Sequence, residues 1–179
     1  DDDMGGITTY PPGAKENGGI FVHTNPWAMV AETMEGNGDR AYQYYRQVLP
    51  GRRNQDAELL EVEPYVYCQN ILGKEHPHFG VGRNSWLSGS AAWNMVASSQ
   101  YILGIRPGYD RLIVDPCIPS EWSGFRVMRV FRGAVYHIEV RNPDRVSKSV
   151  KKLLVNDAEC DKIPVMPQGS SCNVLVIMG

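Results

Sequence analysis

Apolar residues in the first half of the chain, up to about residue 107, recur every three to four positions, which is the spacing of one helix face. The clearest predicted helix begins at Asn25, a residue able to cap free N–H groups, with Pro26 in its first turn, and ends before Gly36. Its predicted inward face consists of Trp27, Val30, Ala31 and Met34. The next helix is predicted from Asp39, as its cap, to Pro50, and the short link between the two indicates a helical hairpin. The predicted inward face of this second helix consists of Ala41, Tyr42, Tyr45, Val48 and Leu49.

Two further helices are predicted in this half. One runs from Glu63 to Leu72 and is closed by Gly73, and the longest runs from near Ser88 to Leu103. The predicted inward face of the longest helix consists of Ala91, Ala92, Met95, Val96, Ser99, Ile102 and Leu103. Helices paired in this way indicate part of a larger helical array. The connections over residues 1–21, 51–62 and 73–87 are long and polar or glycine-rich, and such loops are where binding residues are expected.

From about residue 111 the pattern changes to short strands separated by turns. The predicted strands are Leu112–Val114, Phe125–Val130, Val135–Val140, Lys152–Val155 and Asn173–Ile177. Arg132 and Gly133 form the turn of a predicted hairpin. The expected fold class is therefore α+β, with a helical domain over residues 1–107 and a small antiparallel β-sandwich domain over residues 108–179.

Charge and composition exclude several classes of binding partner. The 179 residues include 18 Lys and Arg against 20 Asp and Glu, so no basic field attracts nucleic acid or an anionic membrane. No apolar run approaches the roughly 20 residues of a membrane span. The 4 cysteines lack a C-x-x-C spacing, which favours free thiols in a reducing compartment. We therefore expect a soluble, cytoplasmic protein without a nucleic-acid or membrane partner. The chain opens on three aspartates, with neither an initiator methionine nor a signal segment, which suggests an excised piece.

Two loops carry candidate chemistry in the first half. Lys15 and Glu16 lie on a loop stiffened by two prolines and loosened by glycines, where paired charges suit sugar hydroxyls. The alternative is an ordinary solvated loop. His23 lies just before a predicted helix, where free N–H groups favour an anion such as phosphate. The alternative is that its ring only satisfies a local carbonyl group.

Ser88 and Gly89 stand at the start of the longest predicted helix. They resemble a phosphate cradle in chemistry, although Ser88 as a plain helix cap explains them nearly as well. His76 and His78 lack a third and fourth ligand, so we predict no metal site. No Gly-x-Ser-x-Gly nucleophile turn occurs in the sequence. The aromatic residues able to stack on sugar rings, or else to fill a helical core, are Trp27, Tyr65, Trp86 and Trp93.

Several motifs occur together in a recognisable order: Lys15–Phe21, His23–Trp27, Val62–Tyr67, Asn84–Gly89 and Leu103–Pro107. With these motifs the chain resembles the C-terminal part of cellobiose phosphorylase and its relatives, the inverting glycoside phosphorylases that include cellodextrin and chitobiose phosphorylases. The resemblance covers nearly the whole chain and weakens after about Asn142.

The resemblance implies that inorganic phosphate attacks the anomeric carbon of a β-linked disaccharide, cellobiose first of all, to give α-glucose 1-phosphate and glucose. It implies that residues 1–107 are the last helices of an (α/α)6 barrel. His23, Ser88 and Gly89 match phosphate-binding positions. Lys15 and Glu16 match the pocket of the leaving sugar. The family more often has Thr where Ser88 stands, and the exchange keeps the hydroxyl.

The family's general acid, an aspartate, and a phosphate-binding arginine are expected upstream of this chain, so the resemblance implies no catalytic residue within it. We therefore expect the chain alone to be inactive, the full-length protein to need no cofactor, and that protein to form a homodimer. Two other functions stay open: a sugar-binding module, or a phosphorylase-like terminal domain of a β-glucan synthase. The upstream sequence would distinguish the synthase from the phosphorylase.

Overall fold

A computed structural model describes residues 4–179, and the opening aspartates lie outside the described residues. Helices α1 to α4 span Thr24–Met34, Gly38–Val48, Ala57–Leu60 and Ser90–Val96. A π-helix, Ala97–Ile102, follows α4, and short 3-10 turns cover Gly5–Thr9, Pro50–Arg52 and Asn54–Asp56. Strands β1 to β11 span Ile20–Phe21, Asn70–Ile71, Gly82–Arg83, Ile105–Pro107, Arg111–Val114, Gly124–Phe131, Ala134–Arg141, Val150–Val155, Ala158–Glu159, Ile163–Pro164 and Ser171–Met178.

Internal contacts divide the chain into two compact units. Unit 1 comprises the residues up to Ala28 together with Gln43–Met95. Unit 2 comprises Met29–Tyr42 and Val96–Gly179. The content of helices and sheets confirms the predicted α+β class. The predicted domain boundary between residues 107 and 108 stays a prediction.

The first two predicted helices exist as α1 and α2, but their details differ. Asn25 does not cap α1, because its amide donates to the carbonyl oxygen of Val22 at 3.1 Å. The predicted inward face of α1 is wrong, since Trp27 and Met34 are exposed while Met29 and Thr33 are buried. Apolar residues lie on more than one side of this helix, so periodicity alone could not select the buried side. The buried hydroxyl of Thr33 is satisfied by the carbonyl oxygen of Val30 at 2.7 Å.

Helix α2 follows the prediction closely. Ala41 is fully buried, and the other predicted inward residues are half-buried. Asp39, however, is no cap for this helix. Its carboxylate instead accepts hydrogen bonds from the backbone N–H and the hydroxyl of Ser120, both at 3.0 Å. An aspartate at the start of a helix can cap it or can hydrogen-bond to a distant segment, and its position in the sequence does not distinguish the two.

The predicted helix from Glu63 to Leu72 is wrong. Residues 61–69 are irregular, and Asn70–Ile71 form β2. Strand β2 is the centre of a three-stranded antiparallel sheet in the order β1-β2-β3, with Ile71 opposite Ile20 on one side and Gly82 on the other. Pairing on both edges satisfies the backbone of Asn70 and Ile71 without a helix, and the β-branched and aromatic residues of the segment before them favour extended conformations.

The last predicted helix is found, but with a change of pitch. In the π-helix Leu103 N–H donates to the carbonyl oxygen of Ser98, five residues back, at 2.8 Å. The predicted inward residues Ala91, Ala92 and Met95 are exposed. The buried positions of α4 and the π-helix are Ser90, Asn94, Ala97 and Ile102. The wider turn shifts the phase of the helix, so a regular 3.6-residue period misplaces its face.

The five predicted strands of unit 2 are confirmed as β5, β6, β7, β8 and β11, with small changes at their ends. The predicted hairpin turn is also confirmed, with φ of 49° at Arg132 and 81° at Gly133. The main sheet has the order β6-β7-β11-β8-β9. It is not purely antiparallel as predicted, because β11 runs parallel to β7. Alternation reports which side chains face the core and carries no information on strand direction.

A second, three-stranded sheet in unit 2 has the order β10-β5-β4. Tyr136 on β7 is fully buried and connects the main sheet to this region. Its hydroxyl donates to the carbonyl oxygen of Pro164 at 3.0 Å and accepts from the N–H of Met166 at 2.8 Å. The core of the main sheet consists of alternate residues of β7 and β11: Tyr136, Ile138, Val140, Cys172, Val174, Val176 and Met178.

Candidate functional site

Residues 10–19, the Lys15 loop, fold back on themselves in unit 1. Asn17 N–H donates to the carbonyl oxygen of Ala14 at 2.9 Å, and Gly13 N–H donates to that of Asn17 at 2.7 Å. Lys15 and Glu16 occupy the tip of this turn, and Lys15 adopts a left-handed backbone with φ of 48°. Lys15 is half-buried and Glu16 is exposed. The two charged side chains therefore stand on a hydrogen-bonded turn rather than on a free loop.

Close backbone contacts hold the Lys15 loop in place. Gly73 N–H donates to the carbonyl oxygen of Gly13 at 2.7 Å. A Cβ atom at Gly73 would lie 2.1 Å from the carbonyl oxygen of Gly18, and one at Gly13 would lie 2.6 Å from the Cβ of His76. Only glycine allows the backbones to approach this closely. The sequence interpretation assigned flexibility to Gly13 and Gly18 and the end of a helix to Gly73, whereas the structure uses all three for close packing.

Gln69 joins the Lys15 loop to two other segments, and sequence reasoning missed it. Its side-chain oxygen accepts hydrogen bonds from the Lys15 ammonium group and, at 2.8 Å, from the amide of Asn84. Its backbone carbonyl oxygen accepts from the N–H of Val22 at 2.9 Å. Val22 directly precedes His23, so one residue links the predicted sugar and phosphate candidates. Its position immediately before β2 becomes visible only once the sheet is known.

His23 lies between β1 and α1, at the N-terminus of an 11-residue helix. Its ring is half-buried between two aromatic rings, with centroid distances of 5.4 Å to Phe21 and 5.3 Å to Trp27. Both contacts are edge-to-face, which restricts the orientation of the imidazole. At the helix start beside it the helix dipole favours a negative charge, but Asn25 N–H donates to the carbonyl oxygen of Val22 at 3.1 Å and Pro26 has no N–H, so Thr24 is the donor of this turn nearest to His23.

Ser88 and Gly89 form the turn that leads into α4. The Ser88 hydroxyl accepts a hydrogen bond from the N–H of Ser90 at 3.0 Å and donates to the Ser90 hydroxyl at 2.6 Å. Ser88 thus caps the helix, as its alternative interpretation held. Gly89 is exposed, and a Cβ atom there would meet only Trp93, at 3.8 Å. The backbone at this glycine is accessible to a ligand.

An aromatic row connects the two phosphate candidates. The Trp27 and Trp93 rings contact edge-to-face with centroids 5.8 Å apart. Trp93 stands one turn after Gly89, and its N–H donates to the Gly89 carbonyl oxygen at 3.0 Å. The row therefore runs from His23 through Trp27 and Trp93 to the turn at Gly89. Together with Gln69 it connects Lys15, His23 and Gly89 within unit 1, whereas Glu16 and Ser88 belong to this group only as chain neighbours of Lys15 and Gly89.

Other reactive groups in the described residues have structural surroundings. Burial raises the pKa of the Cys68 thiol, which keeps it protonated near neutral pH. Burial also raises the pKa of Tyr67 to about 12. The His76 imidazole accepts a hydrogen bond from the N–H of His78 at 3.1 Å. Among residues 4–179, no three His, Cys, Asp or Glu side chains are grouped to hold a metal ion. In the same residues no helix is long and apolar enough to cross a membrane.

Comparison with known proteins places this geometry in context. A family model described as the glycosyl hydrolase 94 superfamily, catalytic domain, matches residues 1–104. The chain is 48% identical to an N,N'-diacetylchitobiose phosphorylase of Vibrio furnissii over 178 residues, which are 99% of this chain and 22% of that protein. It is 32% identical to a solabiose phosphorylase of Paenibacillus borealis over 177 residues, 98% of this chain and 23% of that protein.

A third relative is of a different kind. A cyclic β-(1,2)-glucan synthase of Rhizobium meliloti (strain 1021) is 35% identical over 151 residues, which are 83% of this chain and 5% of the synthase. The chain thus spans less than a quarter of the length of each of these three relatives.

Proposed function

Because this chain belongs to the glycosyl hydrolase 94 superfamily, we propose that it is the C-terminal part of a glycoside phosphorylase that cleaves a β-linked disaccharide with inorganic phosphate. The observation that carries this proposal is the network that joins Lys15, His23 and Gly89 through Gln69 and the aromatic row. An anion site and a pair of charged groups suited to sugar hydroxyls then belong to one cluster. Such a pairing is what a reaction between phosphate and a sugar requires.

In this proposal His23, Ser88 and Gly89 hold the phosphate. The imidazole of His23 and the N–H groups of Thr24 and Gly89 donate to the phosphate oxygens, and the Ser88 hydroxyl exchanges its hydrogen bond to the Ser90 hydroxyl for one to phosphate. Phosphate is already an anion, so it needs positioning and charge balance rather than a base to activate it. Attack on the anomeric carbon from the side opposite the leaving sugar inverts the configuration and gives an α-sugar 1-phosphate.

Lys15 and Glu16 are proposed to bind the leaving sugar. The Lys15 ammonium group, held by Gln69, donates to hydroxyl oxygens, while the exposed Glu16 carboxylate accepts from hydroxyl groups. The general acid and the phosphate-binding arginine are proposed to come from an upstream part of the full-length protein. We further propose that α1, α2 and α4 are the last helices of an (α/α)6 barrel, followed by a β domain from residue 108 onward.

The choice of disaccharide is part of the proposal. The sequence motifs favoured cellobiose, but 48% identity to an N,N'-diacetylchitobiose phosphorylase makes N,N'-diacetylchitobiose the first substrate to test. Its products would be α-N-acetylglucosamine 1-phosphate and N-acetylglucosamine. Cellobiose stays the second candidate. The reaction is proposed to need no cofactor, and a homodimer in the cytoplasm stays a proposal for the full-length protein.

A second candidate function is a phosphorylase-like domain in a glucan synthase, which the 35% identity to the cyclic β-(1,2)-glucan synthase favours. The first test measures sugar 1-phosphate formed from phosphate and each disaccharide, using this chain and the same chain extended upstream to the length of the phosphorylases. Activity only in the longer protein supports the proposal. Activity of this chain alone contradicts the placement of the general acid upstream, and no activity in either favours another β-linked sugar as substrate or the synthase.

Variants of the longer protein test the assigned residues. His23→Ala is expected to lower kcat/KM for phosphate by about a hundredfold, as loss of a charge-stabilising donor does in other enzymes. Tyr109→Ala is the matched control, because this exposed tyrosine belongs to unit 2 and to no proposed site. Equal phosphate kinetics in the two variants would remove His23 from the phosphate site.

A further inference from the structure

Two exposed aromatic side chains in unit 1 have no role in the proposed site so far. Tyr65 is 73% exposed, and Trp86 is 66% exposed. Trp86 also adopts a left-handed backbone with φ of 71°, which is unfavourable for a bulky side chain. Backbone of this kind occurs in turns, as at Arg132, and also clusters at functional sites. The fold thus holds a large apolar side chain in water in an unfavourable conformation.

The two rings form a defined corner. Their centroids are 6.1 Å apart and their planes meet at 67°, so one ring face lies next to the edge of the other. The indole N–H of Trp86 donates to the carboxylate of Glu63 at 2.9 Å, which fixes the ring plane. The same hydrogen bond, aided by the Ser85 hydroxyl, holds the pKa of Glu63 below its usual range. Glu63 therefore stays charged beside the rings.

This chemistry fits a pyranose ring. One face of a sugar ring presents C–H groups that pack on an aromatic face, while its hydroxyls bond to a nearby carboxylate. A negative charge beside the rings disfavours an anionic membrane surface or a nucleic acid. The aromatic corner, defined as Glu63, Tyr65 and Trp86, is therefore suited to a neutral sugar.

The position of Trp86 along the chain links the corner to the proposed site. Trp86 precedes Ser88 by two residues, so their Cα atoms lie at most about 7 Å apart. It follows Asn84 by two residues, and Asn84 shares the side-chain oxygen of Gln69 with Lys15. The corner thus stands on the segment between the residues assigned to phosphate and those assigned to the leaving sugar.

We propose that Tyr65 and Trp86 form a stacking site for a pyranose ring of the disaccharide substrate, with Glu63 orienting the indole. The inference rests on the proposed function for the identity of the sugar. It adds a stacking site that the motif-based assignment of Lys15, Glu16, His23, Ser88 and Gly89 does not contain.

Sugar binding to the present chain tests the stacking directly. Saturation-transfer difference NMR with N,N'-diacetylchitobiose and with cellobiose, in the absence of phosphate, reports which ring protons contact the protein. Tyr65→Ala is expected to raise the dissociation constant for the sugar about tenfold. Tyr109→Ala, at a 93% exposed tyrosine of unit 2, is expected to leave it unchanged. Tyr65→Phe keeps the ring and is expected to bind like the unaltered chain. Equal binding of either sugar by all variants, or no binding at all, overturns the proposal.

Kinetics of the longer protein separate this proposal from the proposed function. There Tyr65→Ala is expected to raise KM for the disaccharide about tenfold with kcat within about twofold, because stacking binds the sugar without touching the reacting atoms. Phosphorolysis with an unchanged KM overturns the stacking site and leaves the phosphorylase proposal standing. Tyr65-dependent sugar binding without any phosphorolysis supports the stacking site while the phosphorylase proposal fails.

Discussion

Unit 1 and unit 2 differ in what holds their backbone in place. In unit 2 three strands of 8 residues each, β6, β7 and β11, pair along their length and bury alternate side chains. In unit 1 the strands β1, β2 and β3 have 2 residues each, and much of the backbone is fixed by turns, glycine contacts and side-chain hydrogen bonds.

Three aromatic residues illustrate the difference, although unit 2 also has an exposed tyrosine, Tyr109. Tyr136 in unit 2 is fully buried with both hydrogen-bonding functions of its hydroxyl used. Tyr65 and Trp86 in unit 1 are exposed and available to a ligand. Regular strands bury alternate side chains in a core without contributions from other segments. Irregular loops instead bring side chains from several segments together at the surface, where a ligand can reach them. The four experiments below test this contrast, from the largest expected effect to the smallest.

Removal of the Tyr136 ring is expected to destabilise unit 2 most. Tyr136→Ala leaves a cavity and two unpaired backbone groups, for an expected loss of about 3–5 kcal/mol in the free energy of unfolding. Tyr136→Phe keeps the ring and is expected to cost about 1–3 kcal/mol. Denaturant unfolding measures both, with the exposed neighbour His137→Ala as a control expected to change stability by less than about 1 kcal/mol. A small effect of Tyr136→Ala would show that the sheet does not depend on this core.

Cysteine labelling compares the two units in one experiment. Burial raises the pKa of Cys117 in unit 2 to about 11, so its thiolate fraction at pH 8 is about a hundredfold below that of a thiol at the usual pKa of 9.0. We expect half-buried Cys160 to react first, then Cys68 of unit 1, because a loop-rich unit opens locally more readily than paired strands.

Timed labelling with mass spectrometry shows which cysteine reacts first. Faster labelling of Cys117 than of Cys68 would contradict the expectation that unit 1 opens more readily than unit 2.

The raised pKa of Cys117 also makes the stability of unit 2 depend on pH. Since the fold disfavours the thiolate, this residue lowers stability as pH rises above the usual thiol pKa.

A methyl group at Gly73 is expected to disturb unit 1 through the Lys15 loop. The added Cβ atom would lie 2.1 Å from the carbonyl oxygen of Gly18, so the backbone must shift, for an expected loss of about 1–3 kcal/mol. Gly51→Ala is the matched control, because no atom lies within 4 Å of a Cβ atom there. Hydrogen exchange of the Gly73 N–H, which donates to Gly13, measures the shift. Unchanged protection in Gly73→Ala would show that the loop adapts freely.

The smallest effect is expected at Glu63, which orients Trp86. Its lowered pKa means that the fold favours the carboxylate, so its contribution is present above the usual carboxyl pKa of 4.5 and is lost as pH falls through the lowered value. We expect tryptophan near-ultraviolet circular dichroism to change over that acidic range, and Glu63→Gln to remove this change. A transition of equal size in the variant would assign it to another carboxylate.

The strands of unit 2 could be predicted because the alternation of apolar and polar residues along a strand is a local property of the sequence. The buried residues Tyr136, Ile138 and Val140 follow the period of 2 that their strand imposes. Helix α2 was predicted equally well, since its buried Ala41 lies on the face that its pattern marks. The predicted face of α1 failed because apolar residues lie on both sides of that helix.

The candidate site could be predicted only in part. Motifs singled out Lys15, Glu16, His23, Ser88 and Gly89, whose roles stay proposals. Gln69, which joins three segments, was missed because its hydrogen bonds reach residues 54 and 15 positions away. Such partners are defined by the folded backbone and leave no periodic signal in the sequence.

The sequence by itself determined the α+β class, the hairpin helices, the strands of unit 2 and the family, because spacing, turn residues and motifs are encoded over a few neighbouring residues. Only the tertiary structure decided that β11 lies parallel to β7, that Asn70–Ile71 pair as a strand and that the helix after Ser90 widens into a π-turn. Those outcomes depend on which distant backbone groups satisfy one another's hydrogen bonds, and local propensity does not contain that information.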